Sequence, residues 1–322
     1  MDEKAAPPDD LDYRNTPGNR ITYRARQRAT DRTTWLRLAL LLPPFLLSLA
    51  LVLVVSLLLE AWLGVPAWLP TGLWTASGGL AFHRPSERFL ARHLLRLHHP
   101  LAAELSVLAP VWREVTARAG VDGSRYELWI EESDELNALA AAGHIVAVTR
   151  RALEQLPTAQ LAAVLAHELG HHVGGHAWSG LLGWWYAAPG RLAWRGLVRA
   201  TPRLIRTARG FSYPVCGILV ALAAWLVFTT LTATYGLPLL LLSLPYLTAA
   251  VGRRSELRAD AHAAHLGFAP VLARTLHDLL AEQSAAPTSA DRLGPLSRLL
   301  SSHPHHRTRL HHLQPYLTGR DR

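Results

Sequence analysis

Sulfur and lysine are nearly absent from this sequence of 322 residues. Cys216 is the single cysteine, which excludes an intrachain disulfide and a zinc site built on a cysteine cluster. It lies in an apolar stretch, where a buried free thiol is the expected role. Lys4 is the only lysine, so the net charge of +9 rests on arginine. Together with frequent alanine, leucine and glycine, this composition is typical of a GC-rich bacterial genome.

Charge is missing from two neighbouring stretches near the N-terminus. Residues 38–59 form a run of 22. As a helix this run reaches about 33 Å, the hydrocarbon thickness of a bilayer. Its length and late start argue against a cleaved signal peptide. The second run, 61–82, is interrupted by glycine and proline. We expect a second span there, with a loop at or outside the membrane surface as the alternative.

A third stretch without charge, residues 210–252, is 43 residues long. As one helix it would extend about 65 Å, twice a bilayer. Two spans joined near residues 234–236 fit better. A pair of buried helices in a soluble core is the alternative, but dense leucine and valine without a polar face argue against it.

The arginines are grouped at the ends of these apolar runs. The connections around Glu60 and Tyr235 carry no lysine or arginine. Arginines precede the first run, at positions 14, 20, 24, 26, 28 and 32. They follow the second run at 84, 88, 92 and 96, and the last run at 253 and 254. By the positive-inside rule, both termini and the middle segment are cytoplasmic, and the apolar runs form two hairpins of spans.

A further series of arginines recurs every three or four residues between 191 and 209, which on a helix forms one basic stripe. Tryptophans lie in or just before it, so we expect this helix along the anionic inner leaflet. An ordinary solvated cationic face is the alternative. No nucleic-acid-binding signature accompanies the charge, so nucleic acid is not an expected partner. Residues 1–34 are predicted to form a disordered tail.

The remaining segments predict a small α+β domain. Alternation of Tyr126, Leu128 and Ile130 on one face indicates a strand. Short strands are predicted over 126–132, 137–140 and 144–149. Helices are predicted over 86–119 with a break at Pro100, from about residue 158, over 255–266 and over 270–282.

The helix that starts near Thr158 carries His167-Glu168-Leu169-Gly170-His171. Its two histidines are four residues apart and so lie on one face, the geometry for two imidazoles on one tetrahedral zinc. Glu168 lies beside them, placed to take a proton from a water molecule that zinc activates. This pattern predicts peptide hydrolysis assisted by zinc. A polar helix surface with solvated histidines is the alternative.

A third zinc ligand has to come from elsewhere in the chain. The metzincin spacing fails because Ala177 occupies the required position, His176 lies about 100° away around the helix, and the only methionine is the first residue. Two candidates remain, Glu256 and the tail histidines at 303, 305, 306, 311 and 312. An even number of spans separates His171 from Glu256, as ligands on one side of a membrane require. Asp260, one turn after Glu256, is placed to accept from a liganding imidazole.

Four signatures together resemble the HtpX-like integral-membrane metallopeptidases, which include the CAAX prenyl endopeptidases and the mitochondrial Oma-type protease. The signatures are Asn137-Ala138-Leu139-Ala140, Leu165-Ala166-His167-Glu168-Leu169-Gly170-His171, Glu256-Leu257-Arg258-Ala259-Asp260, and His303-Pro304 followed by Arg309-Leu310. Their order and the intervening apolar hairpin also match. The resemblance covers roughly residues 35–312.

The resemblance implies a gluzincin-like domain with one Zn²⁺ per chain and with Glu168 as general base. The ligands it implies are His167, His171 and Glu256. It also implies an edge strand on which an extended polypeptide docks, formed by Asn137, Ala138, Leu139 and Ala140. His303 is similar to the histidine that stabilises the oxyanion, and Arg309 to the arginine that braces the site near Asp260.

These patterns predict a mainly α membrane protein with about four transmembrane helices and a cytoplasmic zincin α+β domain containing a small sheet. The expected function is a zinc metalloendopeptidase (EC 3.4.24 type) of the bacterial inner membrane that cuts membrane or membrane-near polypeptides. A dedicated maturation protease, a site-two-type intramembrane protease and a non-catalytic zincin-like scaffold are alternatives. The predicted domains are the cytoplasmic tail 1–34, a transmembrane hairpin 35–82, the first part of the protease 83–190, the basic helix 191–209, a second hairpin 210–252 and the second part of the protease 253–322.

Overall fold

The computed structural model describes residues 30–208, 237–285 and 300–318, with scattered helical positions between 215 and 229. The chain is mostly helical and contains a small mixed sheet. It divides into two compact units. Of the described residues, those between 30 and 37, 79 and 182, and 249 and 318 belong to the first unit. Those between 38 and 78 and between 183 and 248 belong to the second.

The elements of the described residues are helices of 6 to 32 residues and strands of two to five residues. In chain order they are α1 (Arg32–Leu63), α2 (Trp68–Ser77), α3 (Arg84–His93), β1 (Leu97–His98), α4 (Ala102–Ala119), β2 (Glu127–Glu131), β3 (Ala138–Ala141), β4 (Ile145–Thr149), α5 (Arg150–Gln155), α6 (Thr158–Gly174), α7 (His176–Tyr186), α8 (Ala188–Ala208), α9 (Leu237–Ala263), α10 (Ala269–Ala285) and α11 (His306–Leu317). Short 3₁₀ turns cover Gly78–Phe82 and Gly123–Arg125, and a π-helical turn covers Ala264–Phe268.

Helix α1 is, within the described part of the chain, the one helix long and apolar enough to cross a membrane. It begins at Arg32, so the last residues of the predicted tail are helical, and Thr33 and Thr34 are buried. The second predicted span contains α2, whose 10 residues rise only about 15 Å, half the hydrocarbon thickness. Most of the third predicted span lies outside the described residues.

The last apolar run and the predicted helix over 255–266 form one continuous helix, α9. The expectation that Glu256 opens a separate helix after the run was therefore wrong. Gly252 does not break the helix, because one interior glycine costs only about 1 kcal/mol. The bend comes later, at Gly267, whose φ of 90° lies in the left-handed region.

The sheet of the first unit has the strand order β1-β2-β4-β3. Strand β4 is central and runs parallel to β2, and β3 pairs antiparallel with β4 and lies at the edge of the sheet. The three predicted strands are confirmed. The two-residue strand β1 was not predicted, since it is too short to show alternation.

Helix α6 lies at the centre of the first unit, with buried residues on every side. Tyr126 and Ile130 belong to the same hydrophobic cluster as its leucines, whereas Trp129 packs in a second cluster on the other sheet face. The predicted alternation along β2 is thus confirmed. Gly170 sets how closely α9 approaches, because a Cβ there would lie 3.0 Å from Cα of Ala259.

Candidate active site

The donor atoms of three predicted ligands lie together where α6 faces α9. Nε2 of His167 is 3.6 Å from Oε2 of Glu256, and Nε2 of His171 is 3.5 Å from Oε1. The two imidazoles meet edge to face, with ring centroids 4.9 Å apart. The continuous helix α9 therefore brings Glu256 to the histidines from a position 85 residues further along the chain than His171.

These separations suit a metal ion better than direct hydrogen bonds. Ligands about 2.1 Å from a tetrahedral zinc lie about 3.4 Å from one another, whereas a charge-assisted hydrogen bond is about 2.8 Å long. A second carboxylate, that of Glu168, also lies within 4.8 Å of both histidines. Glu168 is already bonded to the sheet, as described below, so Glu256 is the better third ligand. The donor set of two imidazoles and a carboxylate is one that zinc prefers.

Asp260 and Arg309 hold the imidazole of His167 from behind. Nδ1 of His167 is 2.9 Å from Oδ1 of Asp260, a residue with no solvent exposure. Arg309 donates to both oxygens of Asp260, at 2.8 and 2.6 Å. Because Nδ1 donates to Asp260, the lone pair of Nε2 is left to face Glu256. The structure thus brings the predicted bracing residues together around one candidate ligand.

The site carries an excess of buried negative charge. Burial and Arg309 disfavour the charged imidazole, but the carboxylates of Asp260 and Glu256 outweigh them and raise the pKa of His167 to about 9. Burial would raise the pKa of Glu256, yet its histidine neighbours hold that pKa far below the usual range. In both cases the carboxylates favour a positive charge between these side chains, which a divalent cation supplies more effectively than a proton.

Glu168 joins the metal site to the edge strand. Its Oε2 accepts a hydrogen bond from the backbone N–H of Ala140 at 2.7 Å. Burial raises the pKa of this carboxyl, although the neighbouring histidines oppose the shift. A carboxylate with a raised pKa is a better proton acceptor than one at its ordinary value, so the position suits a general base.

The free edge of β3 follows from its register. The backbone of Asn137 faces β4, since the N–H of Thr149 donates to its carbonyl at 3.1 Å. Alternate residues point the other way in a strand, so Ala138 and Ala140 direct their backbone groups outward. The N–H of Ala138 donates to Oδ1 of Asn137 at 2.9 Å, and that of Ala140 donates to Glu168. The predicted docking segment is thus a sheet edge whose outward carbonyls remain available to an extended chain.

A buried carboxylate fixes the turn between β3 and β4. Glu87 accepts from the N–H of Gly143 at 3.2 Å and contacts Nδ1 of His144 at 3.0 Å. The turn also contains Ala142 with a φ of 51°, a conformation that costs an ordinary residue about 1 kcal/mol. Glu87 was not singled out in the sequence, because a charged residue on a polar helix gives no sign of such a partner.

The tail histidines divide between the site and helix α11. Nδ1 of His303 is 3.4 Å from Oε1 of Glu256, and its side chain is 76% exposed. The nearby carboxylate of Glu256 raises the pKa of this imidazole. His305 instead caps α11, accepting from the N–H of Arg307 at 3.2 Å. The other candidates, His306, His311 and His312, lie within α11.

Two histidines next to the motif have structural partners that the sequence did not reveal. His172 is buried, and its Nε2 lies 2.8 Å from the carbonyl oxygen of Ile145 in β4. Burial lowers the pKa of this imidazole to about 4. His176 contacts Thr33 and Asp31 at the start of α1. In the sequence, only their closeness to the motif could have drawn attention to these two histidines, because their partners are distant along the chain.

The fold and the site together define a metallopeptidase. Helix α6 is buried and carries two histidines and a glutamate that contacts the edge strand of a small sheet. A second glutamate, from the later helix α9, meets the two histidines. The sequence profile of Peptidase family M48 matches residues 104–317, more than half of the chain. The chain belongs to this family, that of the HtpX-like, CAAX prenyl endopeptidase and Oma-type zinc metallopeptidases. No curated protein matches the sequence closely enough to be counted a relative.

Proposed function

We propose that this protein is a membrane-embedded zinc metalloendopeptidase that cuts membrane or membrane-near polypeptides at the cytoplasmic face of a bacterial inner membrane. The observation that carries the proposal is the spacing of His167, His171 and Glu256 around one point, with Glu168 beside it. One zinc ion per chain is the expected cofactor. When bound, zinc supplies a Lewis acid that makes water a stronger acid and polarises a carbonyl group.

The remaining chemistry belongs to side chains of this protein. Glu168 takes a proton from the attacking water and returns it to the nitrogen of the leaving amine, as a general base and then a general acid. Its hydrogen bond from Ala140 holds the carboxylate beside the strand on which the substrate lies. His303, whose pKa is raised by Glu256, donates to the oxygen that gains negative charge. Asp260 and Arg309 keep His167 in one orientation.

The substrate is proposed to bind as an added strand on β3. Main-chain hydrogen bonds from the substrate to the outward carbonyls of Ala138 and Ala140 would fix an extended polypeptide without reading its side chains. Such pairing supports cleavage of many sequences, provided that the segment is unfolded. Because β3 is four residues long, the bound stretch is short, and a folded substrate would have to expose a loop or terminus.

Membrane location is supported by α1 and α8. The 32-residue α1 carries no charged residue between Arg37 and Glu60. On α8, Trp194 and Val198 are exposed on the same helix as the basic stripe, and the guanidinium of Arg191 lies 5.1 Å from the ring centroid of Trp184. Anionic lipid phosphates would pair with these arginines while the apolar side chains enter the interface.

The position of α8 can be measured in lipid nanodiscs. A spin label placed by Val198→Cys in a Cys216→Ser background should be shielded from an aqueous paramagnetic reagent when anionic lipid is present. A label that stays fully accessible in anionic nanodiscs would contradict the interfacial position. The same label at exposed Ser124, which lies in the first unit, controls for reagent access.

Replacing the general base tests the catalytic proposal. Glu168→Gln keeps the size and most hydrogen bonding of the side chain but removes its basicity. The detergent-solubilised variant should retain zinc and lose at least about 100-fold in the rate of cleaving unfolded casein. Glu154→Gln, on the surface helix α5, is the matched control and should cleave normally. Undiminished proteolysis by Glu168→Gln would exclude the mechanism.

A further inference from the structure

Residues 31–34, at the start of α1, are bonded to the end of α6. The backbone N–H of Asp31 and the hydroxyl of Thr34 both donate to the carbonyl of Gly174, at 3.3 and 2.7 Å. Carbonyls of the last helical turn have no partner within their own helix. Thr33 and Thr34 are 4% and 0% exposed. Residues 31–34 therefore complete the end of the helix that carries both candidate histidine ligands.

The carboxylate of Asp31 also reaches the helix that carries Glu256. Its Oδ2 accepts from Nη1 of Arg258 at 2.6 Å. Arg258 lies on α9, midway between Glu256 and Asp260 in the sequence. The same carboxylate accepts from the N–H of Thr34 at 2.8 Å, which caps the start of α1. Asp31 thus contacts α9 through one oxygen and α1 through the other.

His176 continues this network to a ligand. The hydroxyl of Thr33 donates to Asp31 at 2.6 Å, so its lone pair is free to accept from Nε2–H of His176, at 2.7 Å. The ring of His176 meets that of His171 edge to face, with centroids 5.7 Å apart. A continuous set of contacts therefore runs from Asp31 through His176 to His171, while Arg258 links Asp31 to the helix of Glu256.

We propose that Asp31 is a positioning residue that fixes the spacing between α6 and α9 and hence between His171 and Glu256. The proposal rests on the zinc site of the proposed function. The physical argument is that Asp31 bonds to both ligand-bearing helices: its backbone N–H donates to Gly174 of α6, and its partly buried carboxylate accepts from Arg258 of α9. Loss of either bond lets the helices separate by a fraction of an ångström, and metal affinity is sensitive to displacements of that size.

A purely structural role makes a different prediction. If Asp31 only caps α1, its replacement weakens the start of that helix, whereas Arg258→Gln, which leaves the capping bond to Thr34 intact, has no effect on the metal. If Asp31 positions the ligands, both replacements weaken zinc binding. Arg258 is 46% exposed at its side chain, so Arg258→Gln is expected to fold and carries the test even if an Asp31 variant does not.

The experiment compares zinc retention in the full-length, detergent-solubilised protein. Each zinc-loaded variant is mixed with a chromogenic chelator, and the rate and equilibrium of zinc transfer are followed. Asp31→Asn and Arg258→Gln should each bind zinc about 3- to 10-fold more weakly, below the range for direct partners of a ligand. Arg258→Lys should recover most of the affinity. In protein saturated with zinc, both variants should lower kcat and leave KM within about twofold.

The matched control is Asp122→Asn, in an exposed pair with Arg125 that also caps a short helical turn. It should retain zinc as the wild type does. Retention within twofold of the wild type in both Asp31→Asn and Arg258→Gln would overturn the proposal, as would an effect confined to Asp31→Asn. If the wild-type protein itself binds no zinc, the proposed function fails first, so the two failures are distinguishable.

Discussion

Gly170→Ala is the smallest substitution that should separate the two helices carrying the candidate ligands. The new Cβ would lie 3.0 Å from Cα of Ala259 and 3.1 Å from Cβ of His262. Carbon atoms in contact are ordinarily about 3.5–4.0 Å apart. Since backbone atoms cannot rotate away, α6 and α9 must move apart by about 0.5–1 Å. The distances from His167 and His171 to Glu256 then lengthen by more than the deviation of about 0.2 Å that a zinc site tolerates.

The effect on zinc should exceed the effect on stability. Overpacking costs about 1–3 kcal/mol, and the better helix propensity of alanine returns up to about 1 kcal/mol, so the protein should still fold. Zinc affinity should fall about 10- to 100-fold, as it does when a liganding side chain is misoriented. Competition with a chromogenic chelator measures the affinity, and thermal unfolding of the zinc-free protein measures the stability.

A matched glycine separates packing from helix propensity. Gly196 lies in α8, and a Cβ there would meet no atom within 4 Å. Gly196→Ala should leave zinc affinity unchanged and leave stability unchanged or slightly higher. Combining Ala259→Gly with Gly170→Ala removes only the 3.3 Å contact to the Ala259 side chain, so recovery should be partial. Zinc affinity of Gly170→Ala within twofold of the wild type would refute the reasoning.

Three further predictions address the support of His167, the edge strand β3 and the buried His172. Asp260→Asn removes the charge that holds His167 and should weaken zinc binding about 10- to 100-fold by chelator competition. Ala140→Pro deletes the outward N–H that donates to Glu168; it should preserve the fold while lowering kcat/KM at least about tenfold. Leu139→Pro deletes an inward N–H and should instead lower the thermal midpoint. Equal effects of the two substitutions would contradict the register. The pKa of His172 is about 4 in the folded protein and about 6.5 in the unfolded chain, so the free energy of unfolding should fall by up to about 3 kcal/mol as the pH drops from 7 to 4. His172→Gln should reduce this pH dependence, as measured by thermal unfolding. An unchanged pH dependence would contradict the buried, neutral state of His172.

Local patterns in the sequence were enough to predict the strands and the pair of histidines on one face of α6. The alternation along β2 and the four-residue spacing of His167 and His171 are properties of single elements, so they are visible without tertiary structure. The prediction of Glu256 as a ligand followed from motif resemblance and from an even number of predicted spans. The continuity of α9 was missed because a glycine followed by arginines looks like a boundary, although neither residue type stops a helix that is held by packing.

Contacts between distant polar residues outside the four signatures could not be predicted. Asp31 was assigned to a disordered tail because its neighbours are polar, yet it contacts Gly174 of α6, His176 of α7 and Arg258 of α9, all more than 140 residues away in the sequence. Glu87 and His144 likewise pair across 57 residues. Such contacts have no periodic signature, since each depends on where the fold places one side chain rather than on a repeated face.

The central claim is that Glu256 is a zinc ligand and Glu168 is the general base, and zinc content tests it most directly. Wild-type protein, Glu168→Gln and Glu256→Gln are purified in parallel without chelator, and zinc is measured by atomic emission against protein concentration. The account predicts about one zinc per chain in the wild type and in Glu168→Gln, and a large loss in Glu256→Gln. Zinc lost from Glu168→Gln but retained by Glu256→Gln would make Glu168 the ligand and would contradict the account.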